Sequence, residues 1–281
     1  MLHDDHLTRA TRFRDLNLAG RFLLPNAWDA ASARVFEQAG FLAIGTTSGG
    51  IATARGLPDG EHIGRQGMIR ELLPIIDAVG VPVSADIEAG YGDAPTDVAE
   101  TVAAVLDAGA AGINLEDRAH RAGAAPLYGI EDQAARIGAA RAEADRRGIP
   151  LVINARTDTF LLGLGDGAGE RVEMTVARGR AYLGAGADMV FVPGLLDPEL
   201  VRRIVQAING QVSLMALPGA PPAEALFGAG ASRVSLGNVA MLASLGALRE
   251  MAADVMRTGT WTSMERTFFG FAEAEALFAR R

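Results

Sequence analysis

Short apolar runs alternate along the chain with longer Ala-rich segments in which apolar positions recur at helical spacing. Strands of a parallel sheet are buried on both faces and read as continuous apolar runs, and the connection between two such strands is usually a helix. We predict strands at 22–24, 42–45, 83–86, 112–115, 151–155, 189–192, 212–214 and 233–236. The pattern therefore indicates βα units around a parallel sheet.

The segments between these runs have helical patterns. We predict helices at 27–39, 60–79, 96–108, 130–147, 168–185, 198–208, 222–228 and 239–256. Three of them run into Gly40, Gly109 and Gly186, where a left-handed residue closes a helix before the next strand. A final amphipathic segment, 261–278, groups four phenylalanines, and we expect it to pack on the core or on a neighbouring subunit.

Eight strands with short helix-to-strand connections favour a closed barrel over an open doubly wound sheet. The predicted fold class is therefore α/β, a single (β/α)8 TIM barrel. No low-complexity stretch or Pro/Gly/Ser-rich linker divides the sequence, so we expect one domain over 1–281. We expect an N-terminal extension over about 1–20 and a helical C-terminal tail over about 260–281.

The composition suits a folded chain, with 49% hydrophobic and 21% charged residues. The formal net charge of −8 gives no general attraction for phosphate backbones or anionic lipid, which argues against nucleic acid and membrane surfaces as partners. The first residues are polar and acidic, and no uninterrupted apolar run has the length of a membrane span. We expect a cytoplasmic protein.

Two residue types are missing from the sequence. It has no Cys, and all 26 basic residues are Arg. Their absence removes thiolate nucleophiles, thiolate metal sites, disulfides, lysine Schiff bases and the P-loop lysine from consideration.

Acidic residues follow two neighbouring predicted strands. Asp86 and Glu88 stand at alternate positions at one strand end, and Glu116 ends the next strand. Catalytic groups of a barrel lie at the carboxyl ends of its strands. Three carboxylates meeting there repel one another unless a cation lies among them, and oxygen ligands favour Mg²⁺, with Mn²⁺ as the alternative.

Other polar residues near the strand ends have local explanations too. Arg156 adds a positive charge to the same rim. For Asp117 and Asp158 we favour a role as helix N-caps, and for Asp59 an N-cap and a role near the site stay open. The Gly-rich segment 45–50 is predicted to be a turn, although its amides and hydroxyls also suit an oxyanion.

Taken together, these motifs resemble the isocitrate lyase/phosphoenolpyruvate mutase superfamily. The resemblance runs from about residue 24 to the end of the chain. It is carried by Leu24-Pro25-Asn26-Ala27-Trp28-Asp29, Ser48-Gly49, Gly56-Leu57-Pro58-Asp59, Asp86-x-Glu88-x-Gly90-Tyr91-Gly92, Gly112-x-x-x-Glu116-Asp117, Asn154-Ala155-Arg156-Thr157-Asp158 and Ser232-Arg233-Val234-Ser235-Leu236-Gly237.

The resemblance implies a barrel whose C-terminal helix is exchanged between subunits in a dimer of dimers, a homotetramer. It implies Mg²⁺ bound directly by Asp86 and largely through water by Glu88 and Glu116. The residues implied for the remaining roles are Asp59 supporting that water shell, Ser48 and Gly49 binding the substrate carboxylate or keto oxygen, and Arg156 steadying the oxyanion.

The chain departs from the superfamily in the loop after Glu116. The lyase branch carries Lys-Lys-Cys-Gly-His there, whereas this chain reads Asp117-Arg118-Ala119-His120 and continues to Tyr128. The Lys and Asn of the phosphonate enzymes are missing as well. We predict that the segment between Asp117 and Tyr128 is a mobile lid. The candidates for a general acid or base are His120, within this segment, and Tyr91 or Tyr128.

Decarboxylation of a 3-carboxy-2-oxo acid such as oxaloacetate needs the fewest groups, since CO₂ leaves without a base. The favoured function is therefore a Mg²⁺-dependent carbon–carbon lyase acting on a 2-oxo acid or dicarboxylate. Three alternatives stay open. They are phosphorus–carbon chemistry of the carboxyphosphonoenolpyruvate phosphonomutase kind, a 2-methylisocitrate-type lyase, and a non-catalytic protein that binds metal and dicarboxylate.

Overall fold

The computed structural model of the protein describes residues 2–120, 126–266 and 268–279. Its strands are β1 (Phe22–Leu24), β2 (Asn26–Ala27), β3 (Ile44–Thr46), β4 (Val83–Asp86), β5 (Gly112–Glu116), β6 (Val152–Arg156), β7 (Met189–Phe191), β8 (Gln211–Met215) and β9 (Arg233–Ser235). Within these residues all strand pairs are parallel, in the order β1-β9-β8-β7-β6-β5-β4-β3-β2.

Helices surround this sheet. They are α1 (Leu2–Ala19), α2 (Ala30–Gln38), α3 (Ser48–Ala54), α4 (Gly64–Ala78), α5 (Pro95–Asp107), α6 (Ile130–Arg147), α7 (Ala168–Gly184), α8 (Pro198–Ile208), α9 (Ala223–Gly228), α10 (Val239–Thr258), α11 (Thr262–Glu265) and α12 (Phe271–Leu277). No helix of the described residues is both long and apolar enough to cross a membrane.

The two edges of the sheet belong to one stretch of chain. β1 pairs with β9, β2 pairs with β3, and only Pro25 separates β1 from β2. Proline has no amide hydrogen to donate, but its carbonyl accepts a hydrogen bond from Gly45 N at 2.8 Å. The split strand brings the edges together in a nearly closed barrel, which confirms the predicted α/β TIM-type fold.

The side chain of Asn26 joins the strands at this seam, which we define as the split between β1 and β2. Its Nδ2 donates to Thr46 O at 2.9 Å, and its Oδ1 accepts from the amides of Leu236 and Gly237 at 2.9 and 2.8 Å. A Cβ on Gly45 would lie 2.7 Å from Asn26 Nδ2. Glycine is therefore required beside the seam for Asn26 to reach its partners.

Alternation along the strands separates an apolar layer from a polar one. Ile113, Leu115 and Ile153 are fully buried in the core shared with the helices. The positions between them carry buried polar side chains such as Asn154 and, on β4, Asp86. Burying a polar group costs free energy unless the group is hydrogen-bonded or serves a function. We therefore expect the functional site at the end of the barrel where these buried polar side chains lie.

Helix α1 covers the amino-terminal end of the barrel. Phe13 is fully buried, its ring lies edge-on to Phe22 at 6.4 Å, and a Cβ on Gly112 would lie 2.5 Å from it. Asn17 Oδ1 accepts a hydrogen bond from Arg233 Nη1 at 3.0 Å. Since Phe22, Gly112 and Arg233 all begin strands, α1 leaves the opposite, carboxyl end open for a site.

The predicted strands at 22–24 and 83–86 and the predicted helices at 130–147 and 198–208 have the observed bounds, and the other predicted elements of the barrel differ by a few residues. The glycines predicted to close helices have left-handed φ values, 92° at Gly40 and Gly109 and 107° at Gly186. The prediction of one domain over 1–281 stays a prediction.

One local prediction is wrong, and one strand was missed. The segment 45–50 is not a turn, because β3 runs to Thr46 and α3 starts at Ser48 with Thr47 as its N-cap. Strand β2 was not expected, since Pro25 hid the continuation of the first strand. The tail expected over about 260–281 contains two short helices, α11 and α12, and Gly270 is the N-cap residue of α12.

Candidate active site

A cavity of about 230 Å³ opens at the carboxyl ends of the strands. Its polar lining consists of two carboxylates, one guanidinium, three amides and three hydroxyls, from Asp59, Asp86, Arg156, Asn26, Asn114, Asn238, Thr47, Ser48 and Ser235. Its apolar lining includes Leu161, Phe191, Met215 and Leu217. Five of the residues predicted for the site, Ser48, Gly49, Asp59, Asp86 and Arg156, therefore share one cavity.

Asp86 ends β4 and is 7% exposed. Its Oδ2 accepts a hydrogen bond from Ser48 N at 2.9 Å, and its own amide donates to Thr46 Oγ1 at 2.8 Å. Its Oδ1 is buried without a hydrogen-bond partner. Burial raises the pKa of Asp86, and the charge of Arg156 and the Ser48 amide offset this only in part. One oxygen of a buried acid is thus left for a ligand.

Glu88 lies beyond the end of β4, in a left-handed conformation with φ of 51°. Its Oε1 accepts from the amides of Gly60 and Glu61 at 3.0 and 2.7 Å, whereas Oε2 is buried without a hydrogen-bond partner. Burial raises the pKa of Glu88 to about 7, against the opposing effect of the Glu61 amide. Glu88 is not among the described residues that line the cavity.

Arg156 connects the acids at the ends of β5 and β6. Its Nη1 lies 2.9 Å from Glu116 Oε2, and its Nε and Nη2 donate to the two oxygens of Asp158 at 2.6 and 2.9 Å. Glu116 Oε1 also pairs with His120 Nε2 at 2.7 Å. Arg156 is therefore held rigidly between two carboxylates, with its guanidinium lining the cavity.

The charges of this group shift one another's pKa values. Burial alone lowers the pKa of Arg156, but Glu116 and Asp158 raise it far more. Burial raises the pKa of Glu116 despite Arg156 and His120. Burial lowers the pKa of His120, but the hydrogen bond and charge of Glu116, together with the charges of Glu61 and Glu88, outweigh burial and raise it.

The structure does not place Asp117 and Asp158 as helix N-caps, contrary to the prediction. Asp117 is fully buried and accepts hydrogen bonds from Tyr182 Oη at 2.7 Å, from Arg178 Nη1 at 3.0 Å and from the Asp158 amide at 3.1 Å. Asp158 pairs with Arg156 instead. Both acids connect the ends of β5 and β6 beside the site. The position of an acid after a strand does not indicate this role in the sequence.

Ser48 and Gly49 begin α3 beside the cavity. A Cβ on Gly49 would lie 3.2 Å from Asn238 Nδ2 and 3.4 Å from Asp59 Oδ2, so the absent side chain leaves room between these two groups. Asp59 lies in the loop before α4, whose N-cap is Ile63. Asp59 is therefore not an N-cap, and the structure keeps it in the cavity wall.

The three acids predicted to bind metal do not meet as a ligand cluster. In the part of the chain that the structure describes, no group of three His, Cys, Asp or Glu residues has such geometry. The physical reasons are that Glu116 pairs with Arg156 and His120, and Glu88 turns towards two backbone amides. The unpartnered Asp86 Oδ1 and Glu88 Oε2 are still the oxygen donors that Mg²⁺ prefers.

Several lining residues were not predicted for the site. Asn114 lies two positions before Glu116, and its register partners are Asp86 and Asn154. Phe191 ends β7 and Met215 ends β8. Strand register could have identified these three residues, because it shows which residues at the ends of neighbouring strands lie side by side. Asn238 follows the last strand and carries no comparable signal.

The predicted lid lies partly outside the described residues, at 121–125. At its base the amide of Tyr128 donates to Asp117 O at 2.8 Å, and the amide of Ala119 donates to Pro126 O at 3.1 Å. An isolated antiparallel bridge joins Arg118 and Leu127. These contacts anchor both ends of the segment beside the site.

Acids and an arginine at the carboxyl ends of the strands have the placement of catalytic groups in a TIM-barrel enzyme, which is the class that the fold and the site define. The phosphoenolpyruvate phosphomutase family model matches residues 13–256. The chain belongs to the isocitrate lyase/phosphoenolpyruvate mutase superfamily, which confirms the predicted resemblance. One relative is 2,3-dimethylmalate lyase of Eubacterium barkeri, 32% identical over 209 residues, covering 73% of this chain and 70% of the lyase.

Several solved structures are similar to this chain over most of its length. A putative lyase/mutase from Burkholderia cenocepacia J2315 superposes with a TM-score of 0.91 at 35% identity, over 98% of each chain. Phosphonopyruvate hydrolase in complex with oxalate and Mg²⁺ gives 0.80 at 29% identity, over 96% of this chain and 94% of the other. Oxaloacetate acetylhydrolase with its product oxalate gives 0.80 at 26%, over 90% and 89%.

Proposed function

We propose that the protein is a Mg²⁺-dependent carbon–carbon lyase that acts on a 2-oxo acid or related dicarboxylate, with oxaloacetate-type decarboxylation as its reaction. The observation that carries the proposal is that Asp86, with its unpartnered buried oxygen, and Arg156 line the same cavity. A negative and a positive group at one small cavity suit a cation and an oxyanion side by side.

The buried, unpartnered Oδ1 of Asp86, in a cavity that Asp59 also lines, fits a divalent cation. Asp86 would hold it directly, Glu88 and Glu116 would hold it largely through water, and Asp59 would support the water shell. The solved phosphonopyruvate hydrolase contains Mg²⁺ and oxalate, a small dicarboxylate, which supports the same pairing here. When bound, the cation supplies charge that polarises the substrate carbonyl. Mn²⁺ is the expected substitute.

The chain's own groups bind and orient the substrate. Ser48 and Gly49 would receive its carboxylate or keto oxygen, in the space that the missing Cβ of Gly49 leaves. The Arg156 guanidinium would balance the oxyanion that develops at C2. Because Glu116 and Asp158 hold Arg156 in place, its charge needs no reorganisation during the reaction.

Decarboxylation suits these groups because its bond-breaking step moves no proton. The bond from C3 to the departing carboxylate breaks, its electron pair passes to the enolate, and CO₂ leaves. The enolate then takes one proton at C3 to give the 2-oxo monoacid. A lyase that starts from a 2-hydroxy acid needs a base as well, for which His120 stays the candidate through its contact with Glu116.

The test is pyruvate release from oxaloacetate with Mg²⁺ and the protein together, with Mg²⁺ alone, and with protein in excess EDTA. We expect protein-dependent release well above the rate with free Mg²⁺, and none above the protein-free rate in EDTA. Equal rates with and without protein would refute the decarboxylase. A panel of phosphonopyruvate, 2-methylisocitrate and 2-hydroxy diacids then separates the alternatives, and binding of oxalate without turnover of any compound would indicate a non-catalytic homologue.

We also propose that the protein is a homo-oligomer, a dimer of dimers in which the C-terminal helix is exchanged between subunits. Helix α10 has 20 residues, and Met241 is its one buried residue. Leu242, Leu245, Leu248 and Met256 are exposed on it, and Trp261, Phe268 and Phe271 are exposed after it. An apolar surface of this extent favours a second copy as its cover.

Light scattering coupled to size-exclusion chromatography tests this assembly. We expect a mass near four times 29.3 kDa, and a smaller species when Leu245 and Leu248 are both replaced by Glu. A monomer at all concentrations would contradict the exchange of α10. The location in the cytoplasm stays a prediction.

A further inference from the structure

Arg136 is a buried cation that the proposed reaction does not use. It lies in α6, is 1% exposed and is among the largest fully buried side chains of the described residues. Its Nη1 donates to the carbonyls of Gly92 and Asp93 at 2.8 and 2.5 Å, and its Nη2 donates to the carbonyl of Ala89. All three carbonyls belong to the loop 87–94 between β4 and α5, which carries Glu88.

This loop has an unusual backbone. Glu88 and Tyr91 have left-handed φ values of 51° and 62° without being glycines, and Gly90 between them has 92°. Side chains with a Cβ avoid this region, and they persist there only when surrounding contacts hold them. Arg136 contacts the loop from outside. Its acceptor carbonyls lie on both sides of Gly90 and Tyr91, and the first of them, on Ala89, directly follows Glu88.

Arg136 also connects this loop to the next acid. Its guanidinium lies 4.2 Å from the ring centroid of Tyr128, whose hydroxyl donates to Asp93 Oδ1 at 2.5 Å. Its Nε donates to Gln133 Oε1 at 3.0 Å, and Gln133 Nε2 donates to the carbonyl of Glu116 at 3.1 Å. One side chain of α6 thus fixes the backbone beside two of the acids predicted to serve the cation.

The partners of Arg136 argue against a role as a simple filler. A buried charge is expensive unless it is bonded, and an apolar side chain fills the same volume at lower cost. The hydrogen bonds of Arg136 go to backbone carbonyls and to Gln133 rather than to a carboxylate. A planar fork of donors is suited to holding several carbonyls at fixed positions.

We propose that Arg136 is a positioning residue that holds the loop 87–94 in its left-handed conformation and thereby presents Glu88 to a divalent cation. The cation half of this inference rests on the proposed function, whereas the loop half does not. Arg136 touches neither the cavity lining nor the substrate groups, so its effect is exerted through the backbone of Glu88.

The first experiment measures hydrogen–deuterium exchange of the full chain without metal. In the Arg136→Lys variant we expect faster exchange in peptides covering 87–94, where the amides of Gly90 and Tyr91 are bonded to Ile87 O and Glu61 Oε1. The matched control is Arg141→Lys on the same helix, whose side chain bonds to Gly186 O and Asp188 instead. Unchanged exchange at 87–94 in Arg136→Lys would overturn the inference.

The second experiment titrates Mg²⁺ into each variant by calorimetry. We expect the Mg²⁺ Kd of Arg136→Lys to rise about tenfold, as for loss of an outer-shell partner, and that of Arg141→Lys to stay within about twofold of wild type. Excess Mg²⁺ should restore turnover of Arg136→Lys, which a general loss of folding would not allow. Faster exchange in the loop 87–94 together with an unchanged Mg²⁺ Kd would refute the claim that Arg136 helps to present Glu88 to the cation.

The two experiments also distinguish failure of this inference from failure of the proposed function. If wild type binds no Mg²⁺, the proposed metal fails, and the exchange experiment still decides the role of Arg136 in the loop. If Arg136→Lys does not fold, Arg136→Gln takes its place, because a neutral side chain leaves no buried charge without partners yet cannot reach all three carbonyls. We then expect faster exchange at 87–94 in Arg136→Gln, and no increase there would overturn the inference.

Discussion

Replacement of Asp86 by Asn is expected to lower Mg²⁺-dependent turnover by about three orders of magnitude while leaving the fold intact. Asn keeps the shape of Asp86 and an oxygen for the Ser48 amide, but it removes the negative charge that would hold the cation. Polarisation by a bound metal contributes several kcal/mol to a barrier, and each ~1.4 kcal/mol corresponds to a factor of ten. Steady-state kinetics with the active substrate measures the loss.

The same substitution is expected to raise the melting temperature in EDTA. Burial raises the pKa of Asp86 in the folded state, so ionisation costs the folded protein stability at any pH above the ordinary aspartate pKa. At neutral pH, Asp86→Asn removes that cost. Mg²⁺ should then raise the melting temperature of wild type but not of the variant, because a ligand stabilises only the state that binds it.

Asp107→Asn is the matched control, since Asp107 is exposed and lies at the far end of α5, paired with Arg147. We expect it to change neither turnover nor the response to Mg²⁺. A variant Asp86→Asn that turns over like wild type, or that still gains stability from Mg²⁺, would show that the cation is held elsewhere.

Replacement of Arg156 by Met is expected to cost both stability and activity. It leaves Asp158 buried without its cation and leaves Glu116 with His120 alone, and removal of one partner of a buried ion pair typically costs about 3–5 kcal/mol. Turnover should fall about 10²–10³-fold through the lost oxyanion partner. Chemical denaturation and steady-state kinetics measure the two effects.

Two further variants make this result specific. Asp158→Asn added to Arg156→Met should recover part of the lost stability without recovering turnover, because it removes one of the orphaned charges. Arg202→Met breaks an exposed pair with Glu199 and should cost at most about 1 kcal/mol. If Arg156→Met is no less stable than Arg202→Met, Arg156 is not the buried link between the two carboxylates.

The barrel was predictable because its buried strands read as short apolar runs and its helices as longer segments with helical spacing. Runs such as 83–86 and helices such as 130–147 have the observed bounds, since each is flanked by Gly, Pro or polar residues. Pro25 hid the continuation of the first strand because a proline normally ends pairing. Here the Pro25 carbonyl and the Asn26 side chain replace the missing bonds, and this compensation comes from residues distant in sequence.

The candidate site was predictable only in part. Alternation placed Asp86 and Arg156 correctly at the strand ends, and both line the cavity. Glu88 escaped the same logic because its left-handed backbone breaks the alternation. Asp117 was predicted to be a cap, whereas it bonds to Tyr182 and Arg178, more than 60 positions away. Periodicity carries no information about such partners.

The seam has a consequence for how the chain folds during synthesis. Strand β1 finds its hydrogen-bond partners only in β9, and Asn17 and Arg233 are 216 positions apart. Contacts of such high contact order form late, since the intervening chain must first be brought together. The N-terminal strand therefore has no sheet partner until residues 233–235 have been synthesised, and the barrel cannot close before more than four-fifths of the polypeptide exists.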